Sequence, residues 1–228
     1  AEEGGPAVEE RFGVKLLQGY GMTECNIPIW SRLDAPLIAG CCGPVFDHLF
    51  ELRVVHPETD EPLQVGEVGE IVIRPKEPSC FMAGYFRMPE RTVEAWRNLW
   101  FHSGDAGRFD EQGRLHFIDR IKDCIRRRGE NVSAFEVEKA MTPHKAVVDC
   151  AAVGVPSEIG EEDIKVYVQL AKNLPRPDPS ELVDWCKERI AFFKVPRYVE
   201  YVEEFPRTMT KNEIARHELR ERGIGRAW

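Results

Sequence analysis

Long apolar runs are missing from this chain. Nothing in it approaches the roughly 20 residues that a membrane-spanning helix requires. A basic surplus is missing as well: 31 Lys and Arg face 39 Asp and Glu, leaving a net charge of −8 and a sequence pI near 5.4. That balance speaks against a general nucleic-acid surface, because backbone binding neutralises many phosphates with Lys and Arg. Any anion therefore has to be held by a local basic patch. The acidic start "AEEGGPAVEE" lacks the basic and apolar regions of a signal peptide, so a cytoplasmic location is the simplest expectation. Paired cysteine spacings are absent too. The seven cysteines, Cys25, Cys41, Cys42, Cys80, Cys124, Cys150 and Cys186, are odd in number and show no C-x2-C, so neither a zinc site nor a disulfide framework is expected. Cys41 and Cys42 read as small buried side chains in a Gly-flanked turn. None of the six histidines stands in an H-E-x-x-H spacing and there is no G-x-S-x-G elbow, which removes the usual metalloprotease and serine-hydrolase patterns. Fixed-period repeats and low-complexity tracts are also lacking.

What the chain has is 43% hydrophobic residues, with 12 Phe, and 31% charged residues of both signs, enough for one sizeable core or two modest ones. Residues 8–17 predict the end of a helix and a short strand leading into the Gly-rich turn "QGYGMTE". From residue 40 to 75, strand-like runs (Leu49 to Val55, Gly69 to Ile73) alternate with turns, as in a small antiparallel sheet or barrel. A helix is expected near 89–96, starting at Pro89. "DEQG" then reads as a hairpin turn before the strand "RLHFID". Ser133 with Glu136 forms a capping-box signature, worth about 1 kcal/mol. Two strands follow (Val147 to Val153, Lys165 to Leu170), then a helix with Leu182, Trp185, Cys186, Ile190 and Phe193 on one face, a strand "RYVEYV", and a tail helix with Arg216 and Arg220. The domain boundary is placed close to Arg120–Lys122.

Three stretches carry chemistry. In "GYGMTE", the glycines let backbone approach a flat or phosphorylated ligand, Tyr20 offers a stacking face, Thr23 can donate to phosphate and Glu24 can hold Mg2+. Alone, the stretch reads equally as a bare turn with a capping Thr. In "FHSGDAG", Asp105 stands fifteen residues before Arg120. If the segment between is a hairpin, both ends return to one edge, where carboxylate and guanidinium can grip one ligand, the carboxylate accepting from two ribose hydroxyls. The alternative is a surface ion pair worth at most about 1 kcal/mol, which geometry alone favours. In "RIKDCIRRRG", Arg120, Lys122, Arg126, Arg127 and Arg128 face a single anion within nine residues. That local contrast points to a phosphate-bearing partner, with Gly129 allowing close backbone approach, or else to a solvated basic strand.

In order along the chain, "QGYGMTE", "VGEVGEIVIR", "WFHSGDAGRFDEQGRLHFIDRIKDCIRRRGENVS" and "PRTMTK" resemble the adenylate-forming acyl-CoA and aryl-CoA ligases. Peptide-synthetase adenylation domains and beetle luciferases share that superfamily. "RRRGENVS" and "PRTMT" look most like the crotonobetaine/carnitine-CoA ligase and fatty-acid-CoA ligase groups. The resemblance implies an α+β fold: residues 1–120 as a β-rich, small-barrel part of the large AMP-binding domain, and 121–228 as a mobile α+β C-terminal domain. It implies ATP or AMP, CoA and Mg2+ as cofactors and a small carboxylic acid as substrate. By resemblance, Tyr20 and Gly21 lie along adenine and the acyl site, Thr23 touches the α-phosphate, Glu24 holds Mg2+, and Asp105 binds both ribose hydroxyls with Arg120 beside them. Lys122 takes the hinge position. Gly129 lines the pantetheine tunnel, Arg126 to Arg128 stand near CoA phosphates, and Lys211 bridges carboxylate and α-phosphate as the adenylation lysine.

Two departures qualify the match. The family's Ser/Thr/Gly-rich phosphate loop is nowhere in the 228 residues, so the chain is expected to be roughly the C-terminal half of an enzyme, without full adenylation activity by itself. The usual P-x-x-x-T-G-K also places Lys six residues after Pro, whereas Lys211 directly follows Thr210 and Asn stands at 212. Two other functions stay open: a peptide-synthetase-type adenylation domain that transfers to a carrier thiol, and a non-catalytic nucleotide- or CoA-binding module.

Overall fold

A computed structural model describes residues 4–38, 40–158, 160–209 and 212–228. The chain divides into two compact units, Ala1–Ile121 and Lys122–Trp228. Each mixes helix and sheet, the α+β class expected from the sequence.

The first unit starts with helix α1 (Gly4–Phe12) and the antiparallel hairpin β1 (Gly19–Met22) and β2 (Asn26–Trp30). It continues with β3 (Cys41–Pro44), β4 (Phe50–Val55), β5 (Gly69–Pro75), helix α2 (Pro89–Ala95), β6 (Phe101–Phe109) and β7 (Arg114–Arg120). Strands β3 to β7 form one antiparallel sheet in the order β3-β7-β6-β5-β4. The alternation read in "LFELRVV" and "GEIVI" places Phe50, Val54, Ile71 and Ile73 in the core with Leu115, Ile29, Cys25, Cys42 and Tyr20. The β6–β7 turn is fixed by Asp110, whose carboxylate accepts the backbone N–H of Gln112 (3.0 Å) and Arg114 (2.9 Å), while Gly113 supplies a φ of +71°.

Two local expectations give way here. Residues 14–18 form no strand, and the motif expected as a turn, Gly19–Met22, is itself a strand. The cause is Tyr20, which stands opposite Ile29 and is buried in the core. A side chain that enters the core commits its backbone to an extended, paired conformation. Cys41 and Cys42 are buried as expected, but in strand β3 rather than a turn.

The second unit opens with the hairpin β8 (Cys124–Arg127) and β9 (Glu130–Ser133), which feeds helix α3 (Ala134–Met141). Ser133 caps that helix through its hydroxyl, which accepts the Glu136 N–H at 3.3 Å. Strands β10 (Val147–Pro156), β11 (Glu162–Leu170) and β12 (Tyr198–Val202) form a sheet in the order β10-β11-β12, antiparallel then parallel. Period-2 alternation divides the side chains between two faces. Ala152, Ile164, Val166 and Val168 pack with α3 and helix α4 (Pro179–Lys187), whereas Ala151, Val153, Val155 and Tyr167 pack with Phe205 and Leu219 of the tail helix α5 (Arg216–Glu221). Ile190 and Phe193 lie beyond the end of α4 yet pack against the first of these clusters, as their spacing from Leu182 implies. All seven cysteines are free thiols. Among the described residues, no helix is long and apolar enough to cross a membrane.

Candidate functional site

The β6–β7 hairpin brings Asp105 and Arg120 into direct register. Arg120 Nη1 lies 2.8 Å from Asp105 Oδ1, and the phenol of Tyr20 on β1 donates to Oδ2 at 2.8 Å. The Tyr20 ring also stacks against Phe117 of β7, with centroids 6.2 Å apart. Asp105 is 4% exposed, whereas the Arg120 side chain reaches solvent. Despite the nearby guanidinium, Oδ1 has no partner with hydrogen-bond geometry among the described residues. A buried carboxylate oxygen without a donor is costly unless a ligand supplies one.

Electrostatics agree with that geometry. Burial lifts the Asp105 carboxyl above its ordinary value, opposed by the Tyr20 hydrogen bond and the Arg120 charge, and nearby Glu24 and Glu70 push it further up. Tyr20 is held far above the tyrosine range, first by burial and then by the Asp105 charge. Tyr20 is thus a permanent donor and Asp105 an acceptor whose charge is expensive to keep. An incoming pair of hydroxyl donors would relieve that expense.

Beside this centre, Glu24 Oε1 accepts the hydroxyl of Tyr85 at 2.8 Å, and the Tyr85 phenol is pushed up to about 12 by burial and by that carboxylate. Thr23 is exposed next to it. Among the described residues no group of three His, Cys, Asp or Glu side chains could hold a metal ion. The single Glu24 carboxylate nevertheless suits Mg2+, which takes one or two protein carboxylates and fills its shell with water and substrate phosphates. A cleft of about 480 Å3 runs past Tyr85, Ser103, Gly104 and Glu70. Another of about 580 Å3 lies between Thr23, Glu24, Ile27, Trp30 and Phe81.

Gly21 has a tighter duty than ligand approach. A Cβ there would meet the Asn26 carbonyl oxygen at 2.2 Å, so the residue lets β1 and β2 close on each other and thereby aims Tyr20. In the second unit, Arg128 (φ +55°) and Gly129 (φ +81°) form the β8–β9 turn. Both are exposed, as is Arg126, and the Gly129 N–H donates to Glu161 Oε2 at 2.8 Å. Arg127 differs from its neighbours: it points inward, donating to the carbonyls of Val195 (2.6 Å) and Phe193 (3.1 Å), with Asp163 at 3.4 Å. Alternation along β8 separates it from Arg126. Lys122 is exposed in a short 3-10 turn at the start of the second unit. Lys211 lies outside the described residues. Among the described residues on either side of it, the Asn212 N–H donates to Thr208 O at 3.0 Å and the Thr208 N–H to Glu213 O at 2.8 Å.

Tyr20, Asp105 and Arg120 are thus joined directly, with Glu24 within electrostatic reach. Tyr85, Ser103, Phe117, Glu70 and His102 were not anticipated from the sequence. Gly84 before Tyr85, and a glutamate inside the apolar run "GEIVI", were the available signals.

Two family models match the chain: the AMP-binding enzyme model over residues 4–86 and the AMP-binding enzyme C-terminal domain over residues 136–212. The chain belongs to the AMP-binding, adenylate-forming enzymes. Among its curated relatives are a crotonobetaine/carnitine–CoA ligase of Salmonella arizonae, 33% identical over 222 residues, and a feruloyl-CoA synthase of Amycolatopsis sp, 37% identical over 212 residues. Each match covers 92% of this chain, but only 41% and 42% of the respective relative. The crystal structure of ATP-bound MatB from Rhodopseudomonas palustris superposes with a TM-score of 0.78 at 31% identity, covering 95% of this chain and 42% of that one. The chain therefore spans about two-fifths of the length of the relatives it matches.

Proposed function

We propose that this chain is the nucleotide-ribose and CoA-facing part of an ATP-dependent acyl-CoA ligase, an acid–thiol ligase. In that reaction a carboxylate attacks the α-phosphate of ATP, releasing pyrophosphate and leaving an acyl-adenylate. The CoA thiol then attacks the acyl carbon and AMP departs. The chemistry depends on positioning and on neutralising phosphoryl charge. Asp105 accepts the two ribose hydroxyls, and Arg120 stands beside them. Tyr20 and Gly21 border the adenine and the acyl group, Thr23 donates to the α-phosphate, and Glu24 is the protein ligand for Mg2+. Lys122, where the two units divide, serves as the hinge. Gly129 borders the pantetheine arm, and the exposed Arg126 and Arg128 meet CoA phosphates. Lys211 serves the adenylation step.

One observation carries this reading: a buried carboxylate bracketed by Tyr20 and Arg120, with one oxygen still lacking a hydrogen-bond donor. Curated relatives named as CoA ligases and CoA synthases support the thioester product over a carrier-bound one. Calorimetric titration of the 228-residue chain with AMP and, separately, with CoA tests it. Asp105→Ala is expected to weaken AMP binding at least about tenfold and spare CoA, and Arg126→Glu to weaken CoA binding and spare AMP. AMP affinity unchanged in Asp105→Ala, or no binding of either ligand to the wild-type chain, would overturn it.

A further inference from the structure

Asp105 faces Tyr20 and Arg120 because strand β6 is bulged just before it. Against β5, Glu70 pairs with Ala106 and Val72 with His102, so two residues of advance on β5 oppose four on β6. The surplus is taken up at Ser103 to Asp105, where Gly104 adopts a φ of +70°. Bulges of this kind re-aim a side chain, and they need a partner for the backbone groups they release. The partner here is Glu70, buried among apolar strand neighbours. Its Oε1 accepts the Gly104 N–H at 3.1 Å, and its Oε2 meets His102 Nδ1 at 2.9 Å and Arg97 Nη2 at 3.4 Å. Arg97 is held in turn by Asp60 at 3.0 Å, and His102 Nε2, 3.8 Å from Asp60, has no hydrogen-bond partner among the described residues. The Ser103 hydroxyl completes the bulge, donating to Ile71 O at 2.6 Å and accepting the Asp105 N–H at 3.1 Å.

A carboxylate in a core strand is expensive, and Ile or Val would serve the sheet better. We infer that Glu70 is a positioning residue: by holding the Gly104 amide it fixes the bulge that presents Asp105 to the ribose hydroxyls of a nucleotide. The inference rests on the nucleotide reading above. His102 and Arg97 keep the Glu70 carboxylate oriented.

The test compares AMP with 2′,3′-dideoxy-AMP, which lacks the hydroxyls that Asp105 would accept. Wild type is expected to prefer AMP by at least about tenfold, as befits hydrogen bonds to a charged group. Glu70→Ala should bring that preference close to unity while the dideoxy affinity is kept. Glu70→Gln retains an acceptor for Gly104, and His102 can meet the new amide by moving its proton to Nε2, so this variant should stay within about twofold of wild type. If Glu70→Ala does not fold, Glu70→Asp decides: it keeps a carboxylate for Arg97 but is one methylene too short to reach Gly104 as well, and the preference should fall. A preference unchanged in Glu70→Ala or Glu70→Asp, or equal losses for both nucleotides, would overturn the inference. Asp105→Asn separates the two levels. If it abolishes the preference while the Glu70 variants do not, only the positioning role fails; if Asp105→Asn also leaves the preference intact, or wild type shows none, the ribose reading fails and takes the positioning role with it.

Discussion

Asp105 and Arg120 stand opposite each other across β6 and β7, fifteen residues apart in sequence and 2.8 Å apart between Oδ1 and Nη1. The hairpin turn at Asp110 to Gly113 starts the pairing, and a one-residue shift at Ile118, between Gly107–Phe117 and Ala106–Asp119, brings Arg120 opposite Asp105, so the pair depends on both turn and bulge. The pair is asymmetric. The carboxylate is buried and the guanidinium half exposed, so Arg120 can swing toward a ligand while Asp105 stays fixed.

That burial has a cost that varies with pH. The Asp105 pKa is raised in the folded chain, mainly by desolvation, so the folded state holds its proton more tightly than the unfolded state. The contribution of this group to stability is then greatest below the unfolded carboxyl value and falls as pH rises through the folded one. Asp105→Asn is expected to melt several degrees higher than wild type at pH 7, with the gap closing as pH is lowered toward 4, and to bind AMP at least about tenfold more weakly throughout. Thermal melts of both proteins from pH 4 to 8 check this; a variant that melts lower than wild type at pH 7 contradicts it.

Gly21→Ala places a Cβ 2.2 Å from a backbone oxygen that cannot move without opening the β1–β2 hairpin. Over-packing against backbone costs roughly 1–3 kcal/mol. Urea denaturation should show a loss in that range. The Tyr20 hydroxyl should also leave Asp105, which a crystal structure or tyrosine hydrogen exchange would reveal.

Lys165 in the second unit is fully buried, and its ammonium meets Glu200 (2.7 Å) and the carbonyls of Gly223 (2.8 Å) and Ile224 (2.9 Å). It anchors the tail that ends in the Val199–Trp228 backbone pair. Lys165→Met leaves three acceptors without their donor and should cost about 3 kcal/mol. Hydrogen exchange at the Val199 and Trp228 amides should speed up in this variant; unchanged protection would show that the tail is held by other means.

Much of the fold was legible because period-2 alternation is a local signal. "FELRVV", "GEIVI" and "RYVEYV" become strands, and Pro89 opens the expected helix. "GYGM" was hidden because two glycines suggest a turn; only the burial of Tyr20, a tertiary fact, turns the segment into a strand. "IRRRG" likewise does not say which arginine faces inward until the pairing of β8 with β9 is known. Of the candidate site, Tyr20, Asp105 and Arg120 could be linked through motif order and the hairpin. Glu70, His102 and Tyr85 could not, since their roles arise from a bulge and from contacts across 32 to 61 residues of chain.

A crystal structure of the chain grown with AMP shows directly whether Asp105 holds the ribose. Both ribose hydroxyls are expected within hydrogen-bond distance of Asp105, with Oδ1 gaining the donor it lacks and Arg120 alongside. AMP bound with its ribose away from Asp105 would contradict it.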